Sequence, residues 1–493
     1  MRDWLAARAA ATPGREALVA GDTRPTYDEL NRRVARLCAA WHGAGLKSDQ
    51  RVAMVMHGNC ETVLRLFAAM RLGLVLVPLS IRLTAEEQSA ILKNANCRWL
   101  LPEATGEPLL HLPGNGVFDS VPVPLDPTPG QAGAFLDGTL RPSAPMAIVH
   151  TSGTTGVPKG VVLTPGNFFH SAMGATLRLG HLPQDRWLCA MPLWHVGGLA
   201  LVTRAILQGA TLVLHPRFDA ARFMHALQHE GVTMVSLVPA MLHRALDHLD
   251  GGWPGNLRIA LVGGAPLSSA LHEWSHDRAL PVAPTWGLTE TCSQVATLLP
   301  AGAGHKPGST GKPVLFSSLR IADDSGQDLA RGEIGEIRVS GPTVMQGYLG
   351  DPRSTSAALC DGELRTGDLG YLDDEGDLYV VQRRDDLIIS GGENVYPTEI
   401  EKVLIAHPLV EDAVVLGIDD AEWGQRVAAV VQTRRVDKLS VEDLSDYLRQ
   451  QISAFKLPRQ WRLTDKGLRQ VSGKVRRSDL ASLFEDDSCP GCL

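Results

Sequence analysis

Between residues 150 and 160 the chain reads HTSGTTGVPKG, which places three glycines, one serine, three threonines and one lysine within eleven positions. Glycines let backbone N–H groups approach an anion closely, hydroxyls donate further hydrogen bonds, and Lys159 adds a mobile positive charge. Such a segment suits the holding of phosphate. It is not the commonest phosphate loop, in which a glycine is followed after four residues by Gly-Lys-Ser/Thr, because Pro158 stands at the fifth place after Gly153. A second cluster, PTWGLTETCSQ at 284–294, sets the Thr289 hydroxyl beside the Glu290 carboxylate, a pair suited to a phosphate oxygen and its Mg²⁺. Trp286 offers a flat face for a base. Upstream, LVGGAPL ends a strand in Gly263 and Gly264, fit for a planar ring to lie against backbone. The plainer reading of 284–294 is a loop entering a helix with Thr-Glu at its N-terminus. In RTGDLGYLDDEG, Asp368 reads as a carboxylate on a turn, able to accept from a ribose diol. Lys474, in VSGKVRR, sits on a glycine-preceded turn where a lysine is ordinarily idle in solvent.

The elements that must position these groups follow from periodicity. Short apolar runs such as RVAMVMHG, PMAIVHTSG, RWLCAMPL, ATLVLHP, VTMVSLVP and LRIALVGGA alternate with helical stretches such as AARFMHALQHEG. That alternation predicts α/β layers with largely parallel sheets. A strand before the 150–160 segment and a helix after it would put the loop at a strand's carboxyl end, where open α/β sheets bind ligands. Residues 102–145, rich in Pro and Gly, read as an irregular surface connection. From GEIGEIRVSGP to DEGDLYVVQRR the strands shorten between Gly/Asp turns, which predicts a β-rich subdomain. Beyond RRDDLIISGGENVYP, the helical segments PTEIEKVLIAHP and SVEDLSDYLRQQIS flank the strands VEDAVVLGID and RVAAVVQT. Together they predict a small α+β domain.

Bulk composition narrows the function classes. At 493 residues the chain exceeds one ordinary core, so two or more domains are expected. Hydrophobic residues at 44% and charged residues at 20% describe a globular protein, and a net charge of -7 argues against nucleic acid as the main partner. No apolar run approaches the roughly 18 residues of a membrane span, and LGLVLVPLSI is broken by Pro78. The N-terminal segment, charged at Arg2, Asp3, Arg8 and Arg15, lacks a secretory apolar core. Eight cysteines are scattered singly apart from a terminal CPGCL, which suits reduced thiols in the cytoplasm, with Cys489 and Cys492 read as part of a tail.

Taken together and in this order, TSGTTGVPKG, GLTET, TGDLG and SGGENVYPTEIE resemble the adenylate-forming enzymes: acyl- and aryl-CoA synthetases, peptide-synthetase adenylation domains and luciferases. The resemblance runs from RPTYDELNRRVARLCAAWHGAG to Lys474. It implies a large N-terminal AMP-binding domain over 1–384, a hinge at Asp385, a small mobile C-terminal domain over 386–480 and a tail over 481–493. The cofactors implied are ATP and Mg²⁺, with coenzyme A as a substrate. Thr151, Ser152, Gly153, Thr154, Thr155, Gly156 and Lys159 would form the phosphate loop. Gly263, Gly264 and Ala265 would accommodate adenine, with Trp286 stacking where tyrosine is commoner. Thr289 would touch the α-phosphate, Glu290 and Thr151 would serve the metal, and Asp368 with Arg383 would hold the ribose. Lys474 would stabilise the pentavalent α-phosphate while a carboxylate attacks it. Two departures, Gln382 for glycine and Leu468 for proline, remove no chemical group.

The resemblance further implies a CoA ligase, since the chain shows no carrier-protein or condensation domain and no SKL ending, and Gly391, Gly392 and Glu393 would line a pantetheine tunnel. For the acid, MPLWHVGGLALVTRAILQGATLVLHPRFDAARF and TWGLTETCSQ are most similar to the o-succinylbenzoate–CoA ligases of menaquinone synthesis. His195 would gate the acyl pocket. Arg204, in an apolar run, either pairs with an internal carboxylate or meets the substrate's second one. Ser236, Cys292, Ser293 and Gln294 are candidate polar groups of the pocket. Another aryl or medium-chain acid is the alternative reading, and a non-catalytic nucleotide-binding regulator is a more remote one. The sequence leaves the oligomeric state open, a homo-oligomer included.

Overall fold

Helix Tyr27–Gly43 shows how local sequence becomes packing. Thr26 accepts a hydrogen bond from the Glu29 N–H at 3.3 Å, and the Glu29 carboxylate accepts one from the Thr26 N–H at 2.8 Å, closing a reciprocal cap. Leu30, Val34, Cys38 and Trp41 then fall on one face at spacings of three and four and are all buried. Each such side chain contributes about 1.5–3 kcal/mol of transfer free energy. Asp3 caps helix Trp4–Ala11 and also pairs with Arg71 at 3.0 Å. Arg71 donates further to Asn31 Oδ1 and to the Phe135 carbonyl, so this buried charge is matched on every side the chain can reach.

The computed structural model describes residues 1–81, 83, 85–101, 109–111, 119–121, 132–151, 159–246, 248–249, 253–265, 267, 269–383, 388–390, 393–420, 424–434, 439–452, 454–469, 475 and 477–484. These form two compact units. The first comprises 1–320, 338–365 and 376–378, and the second 321–337, 366–375 and the chain from 379 onward. Among the described residues no helix is long and apolar enough to cross a membrane.

The first unit contains two sheets. In one, strands Leu18–Val19, Thr211–Leu214, Arg186–Cys189, Met234–Leu237, Ile259–Val262 and Val282–Leu288 lie side by side in parallel. Ser293–Thr297 and Ser309–Pro313 extend that sheet antiparallel. The predicted parallel core is therefore present, and near-continuous apolar runs such as Thr211–Leu214 are buried throughout because both faces are covered. In the other sheet the order is Gly347–Tyr348, Lys159–Leu163, Ala147–Thr151, Val75–Leu79, Arg51–Val55, Trp99–Leu101, Leu109–His111 and Asp119–Val121.

Two expectations change here. The helix expected directly after 150–160 is preceded by a strand: Lys159–Leu163 runs antiparallel to Ala147–Thr151, Thr151 opposite Lys159, and helix Pro165–Leu179 begins only afterwards under a Thr164 cap. Lys159-Gly-Val-Val-Leu reads as a strand once Ile148 and Val149 are there to pair with it. The stretch 102–145 also holds two three-residue strands on the edge of this sheet, each too short to show a hydrophobic period.

In the second unit, strands Asp412–Asp420 and Gly424–Gln432 form a long antiparallel pair, with Ile388–Ser390 antiparallel and Gln460–Thr464 parallel to the latter. Val415, Val427, Ala429 and Val431 face one core with helices Pro397–Ile405 and Val441–Arg449. Val414, Leu416, Ala428 and Val430 face another with Phe484. Burial on both faces explains why RVAAVVQ is apolar without alternation. Glu401 accepts from the Val415 N–H and from Arg477, both at 2.9 Å, and pins helix Arg477–Ala481 to the strand. Burial raises the Glu401 carboxyl pKa, against the pull of Arg477.

Candidate active site

Thr151 and Lys159 flank the candidate phosphate segment as paired strand ends. The Thr151 hydroxyl donates to the Lys159 carbonyl at 3.5 Å, and the Lys159 Nζ lies over the Tyr348 ring, 5.2 Å from its centroid. Next to them, burial pushes His150 down to about 4, so this imidazole is neutral near pH 7 and adds no charge beside Lys159. Lys159 opens a strand, opposite Thr151, rather than the first turn of a helix. Ser152, Gly153, Thr154, Thr155 and Gly156 lie outside the described residues, as do Asp385, Gly391, Gly392 and Lys474.

Thr289 and Glu290 form a single 3₁₀ turn, Thr289–Thr291, between strands Val282–Leu288 and Ser293–Thr297, rather than the start of a helix. The turn is closed by Thr291, whose hydroxyl accepts from the Leu288 N–H at 2.9 Å and donates to the Leu288 carbonyl at 3.1 Å. Cys292 and Ser293 follow at φ 53 and 92, two consecutive side-chain-bearing residues in left-handed backbone. The Ser171 hydroxyl donates to the Cys292 carbonyl at 2.6 Å and holds that bend. Gly287 has to be glycine, since a Cβ there would sit 1.7 Å from the Ser293 carbonyl oxygen. Glu290 is half-buried; its Oε1 accepts from the Tyr348 hydroxyl at 2.9 Å, and its other oxygen takes no hydrogen bond from a described residue.

One free carboxylate oxygen fits a hard cation, and among the described residues no cluster of three His, Cys, Asp or Glu side chains could hold a metal unaided. That pattern fits Mg²⁺ held jointly by the protein and a nucleotide's phosphates.

The glycine-edged strand has a packing reason beside the proposed adenine role. A Cβ on Gly263 would meet Thr285 Cγ2 at 2.7 Å, and Gly264 has φ 81. Thr285 in turn shares a 2.9 Å hydrogen bond with Thr297, which accepts from Gln294 Nε2 at 2.9 Å. Ala265 follows on the same connection, and Trp286 is buried within its strand.

His195 caps helix Val196–Gln208 without a side-chain cap bond and is exposed, its ring tilted against Trp194. Arg204, two turns along that helix, is 2% exposed. Its guanidinium lies 5.6 Å from the Trp187 ring centroid, and its Nε is buried without a hydrogen-bond partner. No carboxylate among the described residues pairs with it, so the internal ion pair is not found. Burial pushes its pKa down to about 10, and burial likewise drives the Cys292 thiol's pKa well above its usual value, against the pull of Arg204. Gln294 is buried too, with Oε1 lacking a partner among the described residues, and the Ser236 hydroxyl contacts Met191 Sδ at 3.2 Å.

Asp368 belongs to the second unit. It stands within strand Glu363–Leu372 rather than on a turn, 5% exposed, directly after Gly367 at φ 70. Its N–H donates to Thr366 Oγ1 at 3.1 Å. Arg383 ends strand Leu378–Arg383. Tyr348 and Ser171 were not singled out by the sequence. Tyr348 sits in an ordinary-looking QGYLGDP stretch, in the short strand Gly347–Tyr348, and its contact with Glu290 crosses 58 positions.

A lysine in no ion pair among the described residues beside a half-open carboxylate, with Thr151 and Glu290 at the carboxyl ends of their strands, is the arrangement of a nucleotide-handling α/β protein. The chain belongs to the AMP-binding enzyme family: the family model matches residues 5–349, and that of the AMP-binding enzyme C-terminal domain matches residues 399–474. It is 38% identical to the 2-succinylbenzoate–CoA ligase of Bacillus licheniformis over 97% of this chain and 99% of that protein. It is similarly 39% identical to the ligase of the same name from Bacillus thuringiensis subsp. konkukian, over 99% of each. Among solved structures, o-succinylbenzoate CoA synthetase from Bacillus subtilis with its acyl-adenylate intermediate superposes at a TM-score of 0.86. It is 34% identical over 100% of this chain and 99% of that one.

Proposed function

We propose that this chain is an AMP-forming acid–thiol ligase that makes o-succinylbenzoyl-CoA for menaquinone biosynthesis. In the first step an oxygen of the acid's carboxylate bonds to the α-phosphorus of ATP and pyrophosphate leaves. In the second, the CoA thiol attacks the acyl carbon, its proton passes to solvent, and AMP leaves. Charge builds on phosphate oxygens in the first step, where Lys159 and Lys474 would meet it while Thr289 orients the α-phosphate. Bound Mg²⁺, held through Glu290 and Thr151, would offset the charge of the triphosphate. Asp368 and Arg383 would hold the ribose. The six described cysteines are free thiols, which suits the cytoplasmic setting that ATP and CoA imply.

One observation carries the choice of acid. Arg204 brings a buried guanidinium to the helix headed by His195 and has no carboxylate partner among the described residues. A dicarboxylic acid supplies the missing anion; a medium-chain fatty acid or benzoate would leave the cation unmatched. Pyrophosphate release across a panel of aryl and acyl acids, with and without CoA, tests this. o-Succinylbenzoate should give the highest kcat/KM and a thioester product. Preference for benzoate or an aliphatic monoacid would overturn it.

The hinge gives a separate prediction. Asp385→Pro, which fixes φ where the small domain must rotate, should slow thioester formation about tenfold and leave pyrophosphate release within twofold. A normal rate of thioester formation would remove Asp385 from the hinge.

A further inference from the structure

Tyr348 stands between two opposite charges. Its hydroxyl donates to Glu290 Oε1 at 2.9 Å, while its ring face meets the Lys159 ammonium 5.2 Å from the centroid. Its own position is fixed from several directions. The Tyr348 N–H donates to Thr355 Oγ1 at 2.9 Å, and strand Gly347–Tyr348 pairs with Lys159–Leu163, Tyr348 opposite Val161. On either side, the Leu349 N–H donates to the Gly160 carbonyl at 2.7 Å, and the Met345 N–H donates to the Glu290 carbonyl at 2.8 Å. One short segment therefore grips both the lysine's strand and the glutamate's turn, and brings its ring face to the lysine and its hydroxyl to the glutamate.

Lys159 and Glu290 form no ion pair with each other, and among the described residues neither has another. The ring explains how they stay apart. A hydroxyl hydrogen bond occupies one carboxylate oxygen and leaves the other open. A cation–π contact holds an ammonium without neutralising it, and is weak enough to yield to phosphate. Without the hydroxyl, the Glu290 carboxylate is free to turn toward the nearest cation.

We propose that Tyr348 is a positioning residue that keeps the Glu290 carboxylate and the Lys159 ammonium from quenching each other. Each then remains available to the metal and the phosphates of incoming ATP. This rests on the reading of Lys159 and Glu290 as the phosphate and metal groups of the site.

The test is calorimetric binding of a non-hydrolysable ATP analogue, titrated at several Mg²⁺ concentrations and in EDTA, to the unaltered protein and to Tyr348→Phe. The phenylalanine variant keeps the ring and loses only the hydroxyl. It should need about tenfold more Mg²⁺ for half-maximal tight binding, with affinity in EDTA within twofold of the unaltered protein and an unchanged Tm. In a Glu290→Gln background the same substitution should produce no further shift in Mg²⁺ requirement. A Tyr348→Phe protein with the original Mg²⁺ requirement overturns the proposal, as does an equal loss of affinity with and without the metal. If the unaltered protein itself shows no Mg²⁺-dependent nucleotide binding, the reading of the site falls with it.

Discussion

Lys474→Ala should lower pyrophosphate release from o-succinylbenzoate and ATP by about 10²–10³-fold, while thioester formation from supplied acyl-adenylate stays within a few-fold of normal. A cation aimed at the α-phosphorus is needed only where charge accumulates, and removing one preorganised donor of that kind costs about that factor. The two half-reactions are measured separately, by pyrophosphate release and by thioester formation in the absence of ATP. Equal loss in both would show that Lys474 serves the fold or CoA binding instead.

Arg204→Leu should cut kcat/KM for o-succinylbenzoate tens- to thousands-fold, the loss of about 2–5 kcal/mol expected when one partner of a buried charge pair is removed. The loss should fall on KM for the acid and spare KM for ATP. Although burial lowers the Arg204 pKa to about 10, the group stays protonated well above neutral pH, so the effect should be flat between pH 6 and pH 8. A guanidinium can hold a carboxylate through two parallel hydrogen bonds, which lysine cannot reproduce; Arg204→Lys should therefore restore only part of the activity. A folded leucine variant that still prefers the diacid to benzoate would assign the second carboxylate to neutral donors such as Ser293 and Gln294.

The family was legible in the sequence because its motifs are made of residues whose chemistry is local: Gly/Ser/Thr with one lysine, Thr beside Glu, Asp beside Gly. The parallel core was legible for a related reason, as runs like LVL at 212–214 are apolar at consecutive positions rather than alternating. What stayed hidden depends on partners distant along the chain. Lys159-Gly-Val-Val-Leu became a strand because Ala147–Thr151 was there to pair with it, and Thr289–Thr291 stopped at one turn because Ser293–Thr297 folds back on Val282–Leu288. The sequence posed the question of Arg204 correctly but could not answer it, since a partner for a buried cation could come from anywhere in 493 residues. Tyr348 gave no signal of its own, because its hydroxyl and its ring serve groups 58 and 189 positions away.

The unmatched Arg204 also has a consequence for the lifetime of the molecule. A buried cation with no counter-charge among the described residues makes the folded state less favourable than an apolar residue of similar bulk would. On the proposed role of Arg204, recognition would be obtained at the expense of ruggedness. The leucine variant, poorer as a catalyst, should therefore melt at a higher temperature than the unaltered protein. Binding the diacid should protect the unaltered protein against heat and protease far more than it protects the variant. On that reading the substrate would act as the missing piece of the enzyme's own interior. In a cell, the protein would then be most open to degradation when its substrate runs short.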